Sequence, residues 1–182
     1  MQTRFATPDD FTTILALNQE WVDFLSPLDP KRLQMLHAAA ALHRVVEADG
    51  IVIAFLLVLR DGATYDSVNY QWFAQRYPRF LYVDRVVVSG RARSAGAGRL
   101  LYADVFGLAL ASAVPLIACE FDVEPPNPVS ARFHARLGFS EVGRQWVGGG
   151  AKCVSMQLAE SVPTQMMAGQ LEKVGEGAPC HR

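Results

Sequence analysis

No apolar run in the sequence is long enough to cross a bilayer. The longest uninterrupted one covers residues 51–59, less than half of the roughly 20 residues a membrane helix needs. Cysteine is scarce as well. Cys119, Cys153 and Cys180 are an odd, widely spaced set without a C-x-x-C pair, which offers neither a disulfide framework nor a zinc site and suits a reducing cytoplasm. Net charge is nearly missing, at −1 from 17 Lys+Arg against 18 Asp+Glu. No broad field is therefore available for nucleic acid or an anionic membrane. The first residues, MQTRFATPDD, have no apolar core, and no signal peptide is expected. Apolar residues, by contrast, fill 51% of the 182 positions, which excludes global disorder and suits one domain of ordinary size.

Turn residues and apolar periodicity predict a mixed α/β domain over residues 1–160 and a weakly ordered tail over 161–182. A strand at 2–6 precedes Thr7-Pro8-Asp9-Asp10, which supplies an N-cap, a first-turn proline and carboxylates at the positive end of a helix dipole. Ile14, Leu17, Trp21, Phe24 and Leu25 continue one helical stripe up to Ser26-Pro27, which assigns Trp21 to the core. Asp29-Pro30 opens a second helix to about residue 42. Strands at 44–48 and 51–59 flank Asp49-Gly50, a two-residue hairpin signal. Residues 60–79 read as a long connection carrying Tyr65, Tyr70, Trp72, Phe73 and Tyr77. A strand at 81–88, a helix at 99–113 and a strand at 115–121 follow. Pro125-Pro126-Asn127-Pro128 opens a helix closed by Gly138, and strands at 139–147 and 151–158 form a hairpin around Gly148-Gly149-Gly150.

Most of the chemistry sits in Val86-Val87-Val88-Ser89-Gly90-Arg91-Ala92-Arg93-Ser94-Ala95-Gly96-Ala97-Gly98-Arg99. A strand feeds a glycine loop that becomes a helix N-terminus, where free N–H groups and the dipole favour an anion. Gly96 and Gly98 leave the backbone open to a phosphate, and Arg91, Arg93 and Arg99 add forked donors. The dinucleotide fingerprint fails because Leu101 stands where its third glycine belongs, and a Walker A loop fails because no Gly-Lys-Ser/Thr follows. What remains is R-x-x-G-x-G from Arg93 to Gly98, which a plain left-handed turn also explains.

A second segment, Asn127-Pro128-Val129-Ser130-Ala131-Arg132-Phe133-His134-Ala135-Arg136-Leu137-Gly138-Phe139, decides how that loop is read. The two segments, with the strand before the first, resemble the GNAT acetyltransferase superfamily. There, R-x-x-G-x-G cradles the acetyl-CoA pyrophosphate, and N-x-x-A/S-x-x-F-Y-x-x-x-G-F forms the next helix and strand. Tyr82-Val83-Asp84-Arg85, Pro125-Pro126-Asn127-Pro128 and Phe133-His134 look like a bacterial branch of it.

The resemblance implies a central, mostly antiparallel sheet flanked by about four helices, acetyl-CoA as co-substrate and no metal. It implies that Arg93, Ser94, Ala95, Gly96, Ala97, Gly98 and Arg99 bind the pyrophosphate. The edge of Val86, Val87 and Val88 would pair with the pantetheine amides, with the Val87 N–H beside the thioester carbonyl. Asn127 and Phe133 fall on the CoA side, and Asn127 is equally an N-cap before Pro128. His134 departs from the family: it stands where many members have a tyrosine that protonates the departing thiolate. An imidazole can do the same or merely contact CoA.

An amine attacking a thioester must lose a proton, and Asp84 and Glu120 are the carboxylates available on the flanking strands. Asp84 can instead pair with Arg85, and Glu120, Asp122 and Glu124 can equally draw in a cationic amine. Tyr65, Tyr70 and Trp72 fall on the acceptor side by the same resemblance, or simply pack their loop. His37 and His43 have no second ligand pattern, so no metal site is expected.

The function implied is transfer of an acetyl group from acetyl-CoA to a primary amine by direct attack in a ternary complex. A small molecule such as an amino acid or a polyamine is the default acceptor. A protein N-terminal or lysine acetyltransferase and a non-catalytic acyl-CoA sensor stay open. A cytoplasmic enzyme, a homodimer at the level of the family, and no nucleic-acid or membrane partner complete the expectation.

Overall fold

The computed structural model describes residues 1–92 and 95–161. Arg93 and Ser94, and the tail assigned to 161–182 apart from Ser161, lie outside the described residues. Seven strands form one sheet: β1 (Gln2–Phe5), β2 (Leu42–Ala48), β3 (Ile51–Arg60), β4 (Leu81–Val88), β5 (Leu116–Glu124), β6 (Ser140–Val147) and β7 (Lys152–Glu160). Their spatial order is β1-β2-β3-β4-β5-β7-β6. Among the described residues five helices flank it: α1 (Phe11–Gln19), α2 (Pro30–Ala39), α3 (Val68–Ala74), α4 (Ala97–Ala111) and α5 (Pro128–Arg136). Every strand pair is antiparallel except β4 with β5, so the mixed α/β, mostly antiparallel architecture is the one expected, with one helix more.

Three elements differ from the sequence reading, each for a local reason. The first helix stops at Gln19, and the chain continues through tight turns in which Trp21 N bonds Asn18 O and Phe24 N bonds Trp21 O. The cause is Arg85, whose guanidinium donates to both Asn18 Oδ1 and Ser26 O and so draws residue 26 in toward the sheet. The second helix ends at Ala39 because Leu42 already pairs with Val58 in the sheet. The 60–79 connection contains α3, capped by Ser67, whose hydroxyl accepts from Tyr70 N, and anchored by buried Tyr70 and Phe73. Ser67 and the Tyr70/Phe73 spacing are a helix signal one turn long, too short to stand out from the aromatic run.

Strand parity divides the sheet into two faces. On one face Val45, Phe55, Leu57, Leu59, Tyr82 and Val87 pack beneath α1, α2 and α3 with Ile14, Leu33 and Phe73. On the other, Val46, Ala54, Leu56, Val58, Leu81 and Val83 meet Leu101, Val105 and Ala109 of α4. Each large side chain buried in this way contributes roughly 1.5–3 kcal/mol before entropy is subtracted. The hairpin at Asp49-Gly50 takes positive φ at both residues, 51° and 77°, which fits the twist of the strands it joins.

Two irregularities prepare the site. Leu57 faces Arg85 and Val58 faces Val83, so Asp84 is an extra residue, a bulge in β4. It turns Asp84 and Arg85 to the same side: Arg85 reaches α1, and Asp84 accepts from Tyr65 Oη. The parallel pairing of β4 and β5 holds only at Leu81–Ile117 and Tyr82–Ala118. Past that point the strands part, and the edge of β4 from Val83 to Val88 has no strand partner among the described residues.

Candidate active site

A cavity of about 730 Å³ occupies the gap between β4 and β5. Its walls include Val83, Val86, Val87 and Val88 on one strand and Cys119, Glu120 and Phe121 on the other. A strand edge with unpaired N–H and C=O groups facing a cavity requires a partner. An amide-bearing chain such as pantetheine fits that need without displacing protein contacts. The gap gives the cavity two ends, one on each face of the sheet.

The end on the α4 side gathers features that favour an anion. Gly96 caps α4 in the left-handed conformation, φ +88°, where a side chain would be strained. The first intrahelical bond runs from Leu100 N to Gly96 O, so the N–H groups of Ala97, Gly98 and Arg99 have no intrahelical partner and can face an anion, whereas Ala95 N bonds Ala92 O. Gly98 serves packing: a Cβ there would lie 3.0 Å from Phe133 Cζ, and this close approach seats α5 beside the α4 N-terminus. Asn127 accepts from Ser130 N at 3.1 Å as the α5 cap and also lines the cavity. Arg99, Arg132 and Arg136 line the same end, all exposed. None of the three forms an ion pair among the described residues. The two α5 arginines, four apart and hence on one helix face, were not singled out from the sequence. Arg93 and Ser94 lie outside the described residues, whereas Gly96, Gly98 and Arg99 line the cavity.

His134 is buried in the wall between the two strands. Its Nδ1 lies 2.9 Å from the Ser130 carbonyl, which only accepts, so Nδ1 carries the hydrogen and Nε2 accepts from Tyr102 Oη at 2.7 Å. Phe121 stacks on the imidazole at 5.5 Å, and Tyr102, Phe133 and Phe139 meet it edge-on. Burial pushes the His134 pKa down and the Tyr102 pKa well up. The imidazole is therefore neutral, and its single proton is held by the backbone. Tyr102 passes for a core aromatic in the sequence, and only the fold reveals it as a wall residue.

The opposite end carries the acids. Glu120 Oε1 accepts from Tyr82 Oη and Asn69 Nδ2, both at 2.9 Å. Its Oε2 is buried and has no hydrogen-bond partner among the described residues. Burial, reinforced by Asp84 and Asp122, pushes this carboxyl up to about 8. Asp84 is paired with Arg85 at 3.1 Å and accepts from Tyr65 Oη at 2.6 Å. Asp122 is paired with Lys152 at 3.0 Å. Trp21, Phe24 and Leu25 close this end; Trp21 packs on the core, as its stripe suggests, and also lines the cavity.

Tyr65, Tyr70 and Trp72 stand outside the cavity lining. Tyr65 holds Asp84, Tyr70 bonds the Arg60 carbonyl and the Ala63 N–H, and Trp72 lies so close to Gly143 that a Cβ there would fall 2.6 Å from the indole. Their loop instead contributes Asn69, which joins Glu120 to Gln145. Among the described residues no group of three or more His, Cys, Asp or Glu side chains is placed to hold a metal ion. No helix there is long and apolar enough to cross a membrane.

Comparison with known proteins supports the same reading. The family described as Acetyltransferase (GNAT) family matches residues 10–139. No curated protein matches in sequence. Among solved structures, Ard1 from Thermoplasma volcanium superposes with a TM-score of 0.71 at 14% identity, covering 89% of this chain and 98% of that one. The ribosomal-protein-S18-alanine N-acetyltransferase from Escherichia coli gives 0.67 at 12% identity, covering 89% and 94%. The yncA protein from Salmonella typhimurium, solved with its cofactor acetyl-CoA, gives 0.67 at 17% identity, covering 90% and 95%. With its glycine-capped helix start, parted strands and family match in agreement, the chain belongs to the GNAT family and is an acetyltransferase that uses acetyl-CoA as co-substrate.

Proposed function

We propose that this acetyltransferase acts on the primary amine of a small molecule, by direct attack in a ternary complex, with Glu120 as the base. The observation that carries this reading is the partnerless, buried Oε2 of Glu120 in the wall of a cavity that passes between β4 and β5. A carboxyl near pKa 8 gains a proton readily close to neutral pH, as a general base must.

Bound acetyl-CoA supplies an acyl carbon activated as a thioester and a thiol as leaving group. Gly96, the first turn of α4, Arg99, Arg132 and Arg136 hold the phosphates, with Arg93 and Ser94 assigned to the same loop. The edge of Val86, Val87 and Val88 holds the pantetheine arm. Glu120 Oε2 takes the proton of the attacking ammonium. The Val87 N–H, expected beside the acyl oxygen, faces β3, because Ser89 N bonds Ile53 O and Val87 pairs with Phe55 in the same register; an N–H on the open edge, of Val86 or Val88, is assigned to the acyl oxygen instead. The second proton of the attacking nitrogen goes to the departing sulfur, because the imidazole proton is held by the Ser130 carbonyl and the Tyr102 hydroxyl proton by His134 Nε2. His134 and Tyr102 instead brace the wall of the cavity through the hydrogen bond they share.

The acceptor end is narrowed by two bridges. Lys152 Nζ donates to Asp122 and to the Asp23 carbonyl, tying residues 20–26 to the start of β7. Asn69 ties Glu120 to Gln145 of β6. An extended peptide needs an open groove along which its backbone can be held; a small amine does not. Cys119 and Cys153 are buried free thiols, which supports a reducing cytoplasm as the setting.

The test is thiol release from acetyl-CoA across small amines and peptides, with wild type and Glu120→Gln. The expected result is release with small amines that falls about 10²–10⁴-fold in the variant while acetyl-CoA affinity by calorimetry persists. Release on peptides alone would overturn the small-molecule reading. Binding of acetyl-CoA with no release on any amine would make the chain a sensor.

A further inference from the structure

Three acids line the acceptor end, yet they do not make an anionic pocket. Asp84 and Arg85 form an ion pair whose side chains are 6% and 5% exposed. Asp122 is committed to Lys152. Glu120, raised to about 8, is mostly neutral at pH 7. The cations of this face are committed too. The Arg85 guanidinium donates to Asn18 Oδ1 at 2.6 Å and Ser26 O at 2.7 Å, and Lys152 donates to Asp122 and the Asp23 carbonyl. The unpaired arginines, Arg99, Arg132 and Arg136, lie at the other end of the cavity, beside the α4 N-terminus. What remains to receive the body of the acceptor is Trp21, Phe24 and Leu25, with Phe24 39% exposed.

We infer that the acceptor is a monoamine on an apolar, ring-sized body, bearing neither a carboxylate nor a second ammonium. This rests on the reading of the Glu120 end as the acceptor site. An amino acid would bring its carboxylate to Asp84, Glu120 and Asp122 with every nearby cation already paired. A polyamine would lay its second ammonium on Trp21, Phe24 and Leu25, none of which carries a carboxylate. Either charge would meet no uncommitted partner of opposite sign in the lining at that end, and whatever water it lost there would not be replaced. An apolar body instead buries surface against three side chains already turned to the cavity. The amino acid or polyamine expected as the default acceptor thus gives way to a narrower class.

Three matched probes test this on the full chain: 2-phenylethylamine, L-phenylalanine and 1,4-diaminobutane, each scored by kcat/KM for thiol release. 2-Phenylethylamine is expected to lead both others by at least about tenfold. Phe24→Asp places an unpaired carboxylate in the apolar end, and it is expected to cut that lead over diaminobutane while acetyl-CoA affinity by calorimetry shows the variant folded. A lead for phenylalanine or diaminobutane in wild type would overturn the acceptor class and leave Glu120 as the base. No release on any probe, with acetyl-CoA bound, would overturn the acceptor-site reading and this inference with it.

Discussion

The Tyr82 hydroxyl donates to Glu120 Oε1 at 2.9 Å, on the oxygen that Asn69 also occupies, and Oε2 is left buried without a partner. One carboxylate thus has an anchored oxygen and an idle one. Anchoring fixes the rotamer, and the idle atom is available to a proton carried in by an amine.

The consequence for pH is twofold. A base must be ionised to act, so kcat/KM is expected to rise with pH and level off above about 8. Stability is expected to move the other way. The folded state holds a proton that the unfolded chain, with a carboxyl near 4.5, gives up, so the stabilisation present below about pH 4.5 is lost as pH rises to about 8. Glu120→Gln removes that loss. In urea melts the variant should exceed wild type by about 1–3 kcal/mol near pH 8.5 and by much less near pH 5. Equal differences at both values would show that this carboxyl is not raised.

Gly98 is held by packing rather than by backbone conformation, since a Cβ there would come within 3.0 Å of Phe133 Cζ. Gly98→Ala must push the ring back against Tyr102, which it meets at 5.5 Å, and so shift α5 away from the α4 N-terminus. The expected outcome is a KM for acetyl-CoA raised about three- to tenfold and a stability loss of roughly 1–3 kcal/mol. Gly98→Ala combined with Phe133→Leu should recover most of both. A single variant with unchanged acetyl-CoA affinity would separate the packing from the cradle.

The strands and the glycine turn into α4 were legible because their signals are local. Asp49-Gly50 needs two positive φ angles and takes them; the β-branched run Val86-Val87-Val88 lies within a strand read at its true ends. Helix α4 starts two residues earlier than periodicity suggests because Gly96, not Arg99, marks the break in conformation. The acceptor end was legible only in part, because its chemistry depends on partners distant in sequence. That Asp84 is a bulge is a property of strand register, not of residue type. Arg85 meets Asn18, and Lys152 meets Asp122 and Asp23, across separations that no motif encodes. The carboxylates were found, but their compensation was not. The same limit hid the bond between Tyr102 and His134, which joins two helices.

A second buried titration lies away from the cavity. His37 and His43 meet Nδ1 to Nδ1 at 2.9 Å, so one ring gives the hydrogen between them and the other receives it. His43 is buried, edge-on to Phe55, and its Nε2 has no hydrogen-bond partner. Burial, then the neighbouring His37, push its pKa down to about 4, against a smaller upward pull from Asp10. The unfolded ring binds its proton near 6.5, so stability present above about pH 6.5 is lost as pH falls to about 4. Asp10, held down to about 2 chiefly by Arg4, yields its share only below about 3.8. The two groups therefore act in separate windows. His43→Leu is expected to flatten the decline of Tm between pH 6.5 and 4 and to keep the steep loss at lower pH. Parallel curves for variant and wild type across the upper window would assign that decline to another group.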